Sequence, residues 1–145
     1  MQVRHILRGK GRDIVTIASD ASLADAARLL AEKKIGALLV RGAGGVLAGI
    51  ISERDLVKAI AARGAGALGD TVAKHMTREL QTCVEADTVE TVMEVMTRGR
   101  FRHVPVLDEG DQLCGMVSIG DVVKTRIDET VREAAALRDY ISATA

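Results

Sequence analysis

The sequence predicts a mixed α/β fold of the α+β kind: one β-α-β-β-α unit used twice, followed by a C-terminal helical extension. Three observations predict it. Two segments align without a gap when the chain is shifted by 66 residues. Each segment carries the same order of β-like runs, helix starts and turns. Beyond the second segment, Val123, Ile127, Val131, Ala134, Leu137 and Ile141 recur every three or four residues, with no Gly or Pro from Val122 onward. That spacing predicts one long amphipathic helix to about Tyr140.

The repeat begins at Ile14 and at Leu80. Nine positions are identical, among them Thr16/Thr82, Val40/Val106, Gly49/Gly115, Ser52/Ser118, Asp55/Asp121 and Lys58/Lys124. A weaker echo precedes it: Val3 and Leu7 match Val72 and Met76 at a shift of 69. The divisions expected are a first motif over 1–62, a small, Gly-rich linker over 63–71, a second motif over 72–130 and the helical extension over 131–145.

Within each motif the first strand is expected at Val15–Ile17 and Thr82–Val84. Ser22 with Asp25, and Asp87 with Glu90, have the spacing of a helix N-cap and a third-position acid. Leu23, Ala26, Ala27 and Leu30 share one helical face, as do Val89, Val92, Met93 and Met96. Two apolar runs around a Gly-containing turn then read as a β-hairpin: Ala37–Val40 with Val46–Ile51, and His103–Leu107 with Leu113–Val117. Pro105 lies in one of these runs and calls for an edge or a bulge there. A second helix follows from about Arg54 and about Gly120. The hairpin strands are nearly continuously apolar, as strands covered on both faces are. The two motifs are therefore expected to pack sheet against sheet about a pseudo-twofold axis, with two equivalent clefts at the seam.

Composition excludes several classes. The chain has 145 residues, 48% of them hydrophobic, with 20 basic and 20 acidic side chains; disorder needs lower hydrophobicity or higher net charge. The balance hides an asymmetry, since residues 1–66 carry 11 Lys/Arg against 6 Asp/Glu and the remainder carries 9 against 14. Arg4, Arg8, Lys10 and Arg12 form a basic cluster at the front. With only Phe101 and Tyr140 as aromatics, a base-stacking platform is not expected, and nucleic acid is not an expected partner. No apolar run is long enough to span a membrane and the first residues lack a signal core, so a cytoplasmic location without membrane association is expected. Cys83 and Cys114 make no disulfide framework. The histidines show no metal-ligand spacing, and no metal site is expected. No nucleophile–base–orienter set is present; Glu53 and Glu85 are carboxylates without a partner to tune them, so no catalytic residue is assigned.

The chemistry concentrates in Gly49-Ile-Ile-Ser-Glu-Arg-Asp55 and Gly115-Met-Val-Ser-Ile-Gly-Asp121. Each is Gly-h-h-Ser-x-x-Asp, where h is apolar, placed where a strand becomes a helix. Ser at the strand exit can cap the helix, and the first free amides there attract an anion. Asp three residues later lies one turn along, and its carboxylate can accept two hydrogen bonds from a vicinal diol such as a ribose. Serine for phosphate and aspartate for ribose is what a nucleotide requires. The competing reading is a plain capping pair.

With the β-α-β-β-α repeat, the segment Arg102-His-Val-Pro-Val-Leu-Asp108 and the paired Gly-h-h-Ser-x-x-Asp endings, the chain resembles a cystathionine-β-synthase (CBS) domain pair, or Bateman module, of the stand-alone bacterial type. The resemblance covers about residues 1–130, and a stand-alone pair without an effector domain is expected. It implies a regulatory, energy- or redox-sensing module without enzymatic activity, binding an adenosine nucleotide as ligand and not as catalytic cofactor: AMP first, with ADP, ATP, NAD(H) and S-adenosylmethionine as the family's other ligands. It implies ribose contacts from Asp55 and Asp121 and phosphate contacts from Ser52 and Ser118. Arg102 and His103 match the basic second-strand positions, where the first copy has Gly36 and Ala37; Arg54 precedes the aspartate of the first copy. The adenine is expected near Thr16 and Ile17, and near Thr82 and Cys83. An effector protein of unknown identity and a homodimer complete the expectation, the latter also from apolar residues on outer helix faces such as Ala27, Val57, Ile60, Met93 and Val123. The alternatives are a structural dimerisation module with inactive clefts or a small nucleotide-processing enzyme.

Overall fold

A computed structural model describes residues 1–144. Ala145, the last residue of the expected extension, lies outside them. The chain divides into two compact units: Asp13–Leu80 is the first, and Met1–Arg12 together with the chain from Gln81 onward is the second.

The first unit holds β1 (Thr16–Ala18), α2 (Leu23–Lys33), β2 (Ala37–Arg41), β3 (Leu47–Ser52), α3 (Glu53–Arg63) and α4 (Val72–His75). β1 runs parallel to β2, with Thr16 opposite Leu39, and β2 runs antiparallel to β3, with Ala37 opposite Ser52. All of Ala37–Val40 is buried, as expected of a strand covered on both faces. α2 starts where Ser22 accepts the Asp25 amide at 3.1 Å. It buries Leu23, Ala26 and Leu30, with Ala27 only partly covered at the core margin. The Gly-rich stretch expected as a linker is a 3-10 helix over Gly64–Gly69 whose Ala67 is fully buried. Ala67 joins the core of the first unit, while Gly64, Ala65, Gly66 and Gly69 stay exposed.

The second unit holds α1 (Val3–Lys10), β4 (Cys83–Val84), α5 (Val89–Gly99), β5 (His103–Leu107), β6 (Leu113–Ser118) and α6 (Ile119–Thr144). The sheet repeats the same order, with β4 parallel to β5 and β5 antiparallel to β6. α5 is capped by Thr88, which accepts the Thr91 amide at 3.1 Å, one residue later than expected. Asp87 instead accepts from the Val84 amide. Val89, Val92 and Met96 are buried, whereas Met93 is 36% exposed, as expected of an outer helix face. Pro105 lies in the central strand and not at an edge. The β4 ladder reaches only Val106 and Leu107, and a register shift follows at that point, so no strand demands the missing proline N–H from that side.

The short helices α1 and α4 are exchanged relative to the sequence motifs. Val3 donates to Asp87 O at 2.9 Å and Val89 to Met1 O at 2.9 Å. In the first unit Val72 donates to Ala21 O at 2.8 Å and Leu23 to Asp70 O at 2.9 Å. Val3 and Leu7 are thereby buried in the core of the second unit, and Val72 and Met76 in that of the first. The echo at a shift of 69 marks α1 and α4 as copies of one element, joined to the repeats by connectors that differ by three residues.

Candidate functional site

Each Gly-h-h-Ser-x-x-Asp segment carries its β-strand straight into a helix. In the first unit Ser52 is the N-cap of α3: its Oγ accepts the Asp55 amide at 3.3 Å, and Asp55 Oδ2 accepts from the Ser52 amide at 2.8 Å and from Ser52 Oγ at 3.0 Å. In the second unit Ser118 Oγ accepts the Asp121 amide at 3.2 Å, and Asp121 Oδ2 accepts the Ser118 amide at 2.8 Å. Both pairs are therefore capping boxes, and Oδ1 of each carboxylate takes part in none of these bonds.

The second unit brings four of the expected residues together. His103 is the register partner of Ser118, and the Ile119 amide donates to Arg102 O at 2.8 Å. Arg102, His103, Ser118 and Asp121 thus meet at the entrance of α6, with the Arg102 side chain exposed. In the first unit the equivalent geometry, Ala37 opposite Ser52 and Glu53 N to Gly36 O at 3.0 Å, places no cation on the strand. Arg54 is exposed on the first turn of α3. Ile17 and Cys83 point into the two cores. Burial first, then Asp87, pushes the Cys83 thiol up to about 12.

Sequence reasoning missed Lys10. Its Nζ donates to Asp121 Oδ2 at 2.7 Å and to Met116 O at 3.0 Å. Burial pushes the Asp121 carboxyl up, but the Lys10 hydrogen bond, the Ser118 amide and the Lys10 charge outweigh it and hold the group below its ordinary value. The signal available was the basic cluster at the front of the chain, though nothing local aims it at Asp121. Arg12 of the same cluster pairs with Glu85. Asp121 opens on a groove of about 440 Å³ between α1 and α6, lined also by Arg8, Lys10, Lys124 and Asp128. Among the described residues no group of His, Cys, Asp and Glu is arranged to hold a metal, and no helix is long and apolar enough to cross a membrane.

Two copies of a strand-to-helix Ser/Asp cap, each on a small mixed sheet, define a tandem-repeat module. The CBS domain family model matches residues 3–62 and 71–128. The chain belongs to the CBS domain family and carries the domain as a pair. It is similar to the mitochondrial CBS domain-containing protein CBSX3 of Arabidopsis thaliana, with 34% identity over 96% of this chain and 71% of that protein. Among solved structures it is similar to a CBS-domain containing protein from Agrobacterium tumefaciens, with 50% identity, a TM-score of 0.83, and coverage of 86% of this chain and 92% of that one. It is also similar to the CBS domain pair of protein MJ0100, solved with 5'-methylthioadenosine and S-adenosyl-L-methionine, with 28% identity, a TM-score of 0.78, and coverage of 89% and 98%.

Proposed function

We propose that this chain is a non-catalytic regulatory module that binds an adenosine-type ligand, AMP first among AMP, ADP, ATP and NAD(H), and passes its occupancy to a partner protein. The observation that carries the reading is the convergence of Arg102, His103, Ser118 and Asp121 on one helix entrance, beside a groove edged with Arg8, Lys10 and Lys124. A carboxylate for a diol and several cations for a phosphate are the groups a nucleotide engages. The adenosine ligands of the MJ0100 pair support the same class.

The two copies are ranked by their strand cations. The second offers Arg102 and His103, and the first offers Gly36 and Ala37. A charge-assisted contact is worth about 1.5–3 kcal/mol, so the Asp121 site should bind an adenylate about tenfold or more tighter. Calorimetric titration with AMP, ATP, NADH and S-adenosylmethionine tests this. Asp121→Ala should remove most of the high-affinity signal, while Asp55→Ala should leave most of it. Equal losses would refute the ranking, and no heat from any adenylate would refute the nucleotide reading. The capping boxes favour the second reading, a structural module in which Ser and Asp only cap helices; that reading predicts no binding at all.

A further inference from the structure

α6 is 26 residues long, yet every residue from 130 to 144 is exposed on all sides. A segment of this length is about 22 Å of helix, and isolated helices of about 12–15 residues are marginal in water. Its apolar residues do not cover its own unit: Ile127 is 57% exposed, Leu137 59% and Ile141 56%.

The spacing of these residues is that of a heptad seam. With Ile127, Ala134 and Ile141 at a, the d positions are Val123, Thr130 and Leu137. Ile127 and Ile141 at a with Leu137 at d follow the preference of two parallel strands, and Ala134 with Thr130 lets the backbones approach. The flanking charges fix the orientation. Glu133 falls at g and Arg138, five residues later, at e, so in a parallel pair Glu133 of each strand faces Arg138 of the other, twice by symmetry. At full overlap an antiparallel pair instead brings Glu133 against Glu133 and Lys124 against Arg138, which repel. Among the described residues neither Glu133 nor Arg138 has an ion pair within the chain, whereas Arg126 is taken by Glu90 and Glu129 at 3.0 Å each.

We propose that the Ile127–Ile141 stretch of α6 forms a parallel two-stranded coiled coil with the same stretch of a second copy of this chain. The surface needs no nucleotide, so the proposal stands or falls apart from the ligand reading.

The test is oxidative cross-linking of the full chain in a Cys114→Ser background. Leu137→Cys places a thiol at d, where two parallel strands bring equivalent residues together; Arg132→Cys places one at f, facing outward. Both sites are exposed, so neither change threatens folding. The expected result is a disulfide-linked dimer from Leu137→Cys and none from Arg132→Cys. Absence of the Leu137→Cys dimer, or equal cross-linking of the two, overturns the proposal. Sedimentation adds a charge cycle: Glu133→Arg and Arg138→Glu should each weaken dimerisation about tenfold, and the double exchange should restore it. A double variant no tighter than the singles also overturns the parallel register.

Discussion

Gly49→Ala and Gly115→Ala should differ, although the two glycines are equivalent in the repeat. A Cβ at Gly49 lies 2.6 Å from Thr77 O and 2.9 Å from Met76 Sδ. Ordinary contact begins near 3.4 Å, so the carbonyl must retreat by about 0.8 Å. It is not free to do so: Thr77 O accepts the Ile50 amide at 3.0 Å, and Thr77 N donates to Ile50 O at 2.8 Å. At Gly115 the new methyl meets only Leu7, with Cδ2 at 2.8 Å and Cδ1 at 3.0 Å. A leucine tip can turn where a bridged carbonyl cannot. Overpacking costs about 1–3 kcal/mol, and weakening the two bridge hydrogen bonds adds about 1 kcal/mol. The expected losses are about 3 kcal/mol for Gly49→Ala and about 1.5 kcal/mol for Gly115→Ala. Urea unfolding with a slope of about 2 kcal/mol per M should show midpoints lowered by about 1.5 M and about 0.7 M. Equal shifts, or a larger shift for Gly115→Ala, would refute the argument that the bridged backbone is the stiffer neighbour.

Other expectations follow from single contacts. The His75 hydrogen bond, then Arg63 and Lys74, against an opposing burial cost, hold the Asp70 carboxyl below its ordinary 3.8. The stability this contributes is complete above pH 3.8 and is lost as the pH falls through the lowered value, so Asp70→Asn should lower the urea midpoint at pH 7 and flatten its dependence on pH below 3.8; an unchanged acid profile would count against it. Lys10→Met removes what offsets burial at Asp121, and its carboxyl titration by NMR should move up; no movement would mean the ion pair is not formed in solution. Ser52→Ala removes the α3 cap and should cost about 0.5–2 kcal/mol in urea unfolding. With Cys83 buried and pushed up to about 12, a disulfide reagent at pH 8 should modify Cys114 well before Cys83; equal rates would contradict the burial.

Most of the architecture is legible because it is local. The hairpins are written in the apolar runs around Gly42-Ala-Gly-Gly45 and Asp108-Glu-Gly-Asp111, and the strand-to-helix turns in Ser52 and Ser118. Capping and strand pairing across a short turn act over a few residues, so pattern reveals them. What pattern hides is contact across the chain. Lys10 and Asp121 are 111 residues apart, and no periodicity relates them. The shift of 69 against 66 marks α1 and α4 as copies with connectors of different length, but says nothing of which unit each joins. Thr88 in place of Asp87 is a contest between two adjacent cap-forming residues, decided by Asp87 turning back to the Val84 amide. Small residues in Gly64–Gly69 read as slack, and pattern does not show that they form a 3-10 helix with Ala67 buried.

The exchange also explains why the copies are unequal in a way the motifs conceal. At the shift of 69 that relates α1 to α4, Lys10 corresponds to Glu79. The aspartate of the second copy is therefore balanced by an ammonium group at 2.7 Å, while the matching position of the first copy carries a carboxylate. In sequence, the first copy thus has a carboxylate where the second has this ammonium group, and Gly36 and Ala37 where the second has Arg102 and His103. Reversing that one charge should make the first copy more like the second. In an Asp121→Ala background, Glu79→Lys is expected to tighten AMP binding at the remaining site about tenfold, the scale of one charge-assisted contact. Adenosine, which has no phosphate, should change much less, and raising the salt concentration should erase the gain, since Glu79 is exposed. If AMP and adenosine respond alike, or AMP binding is unmoved, the difference between the copies does not lie in this charge.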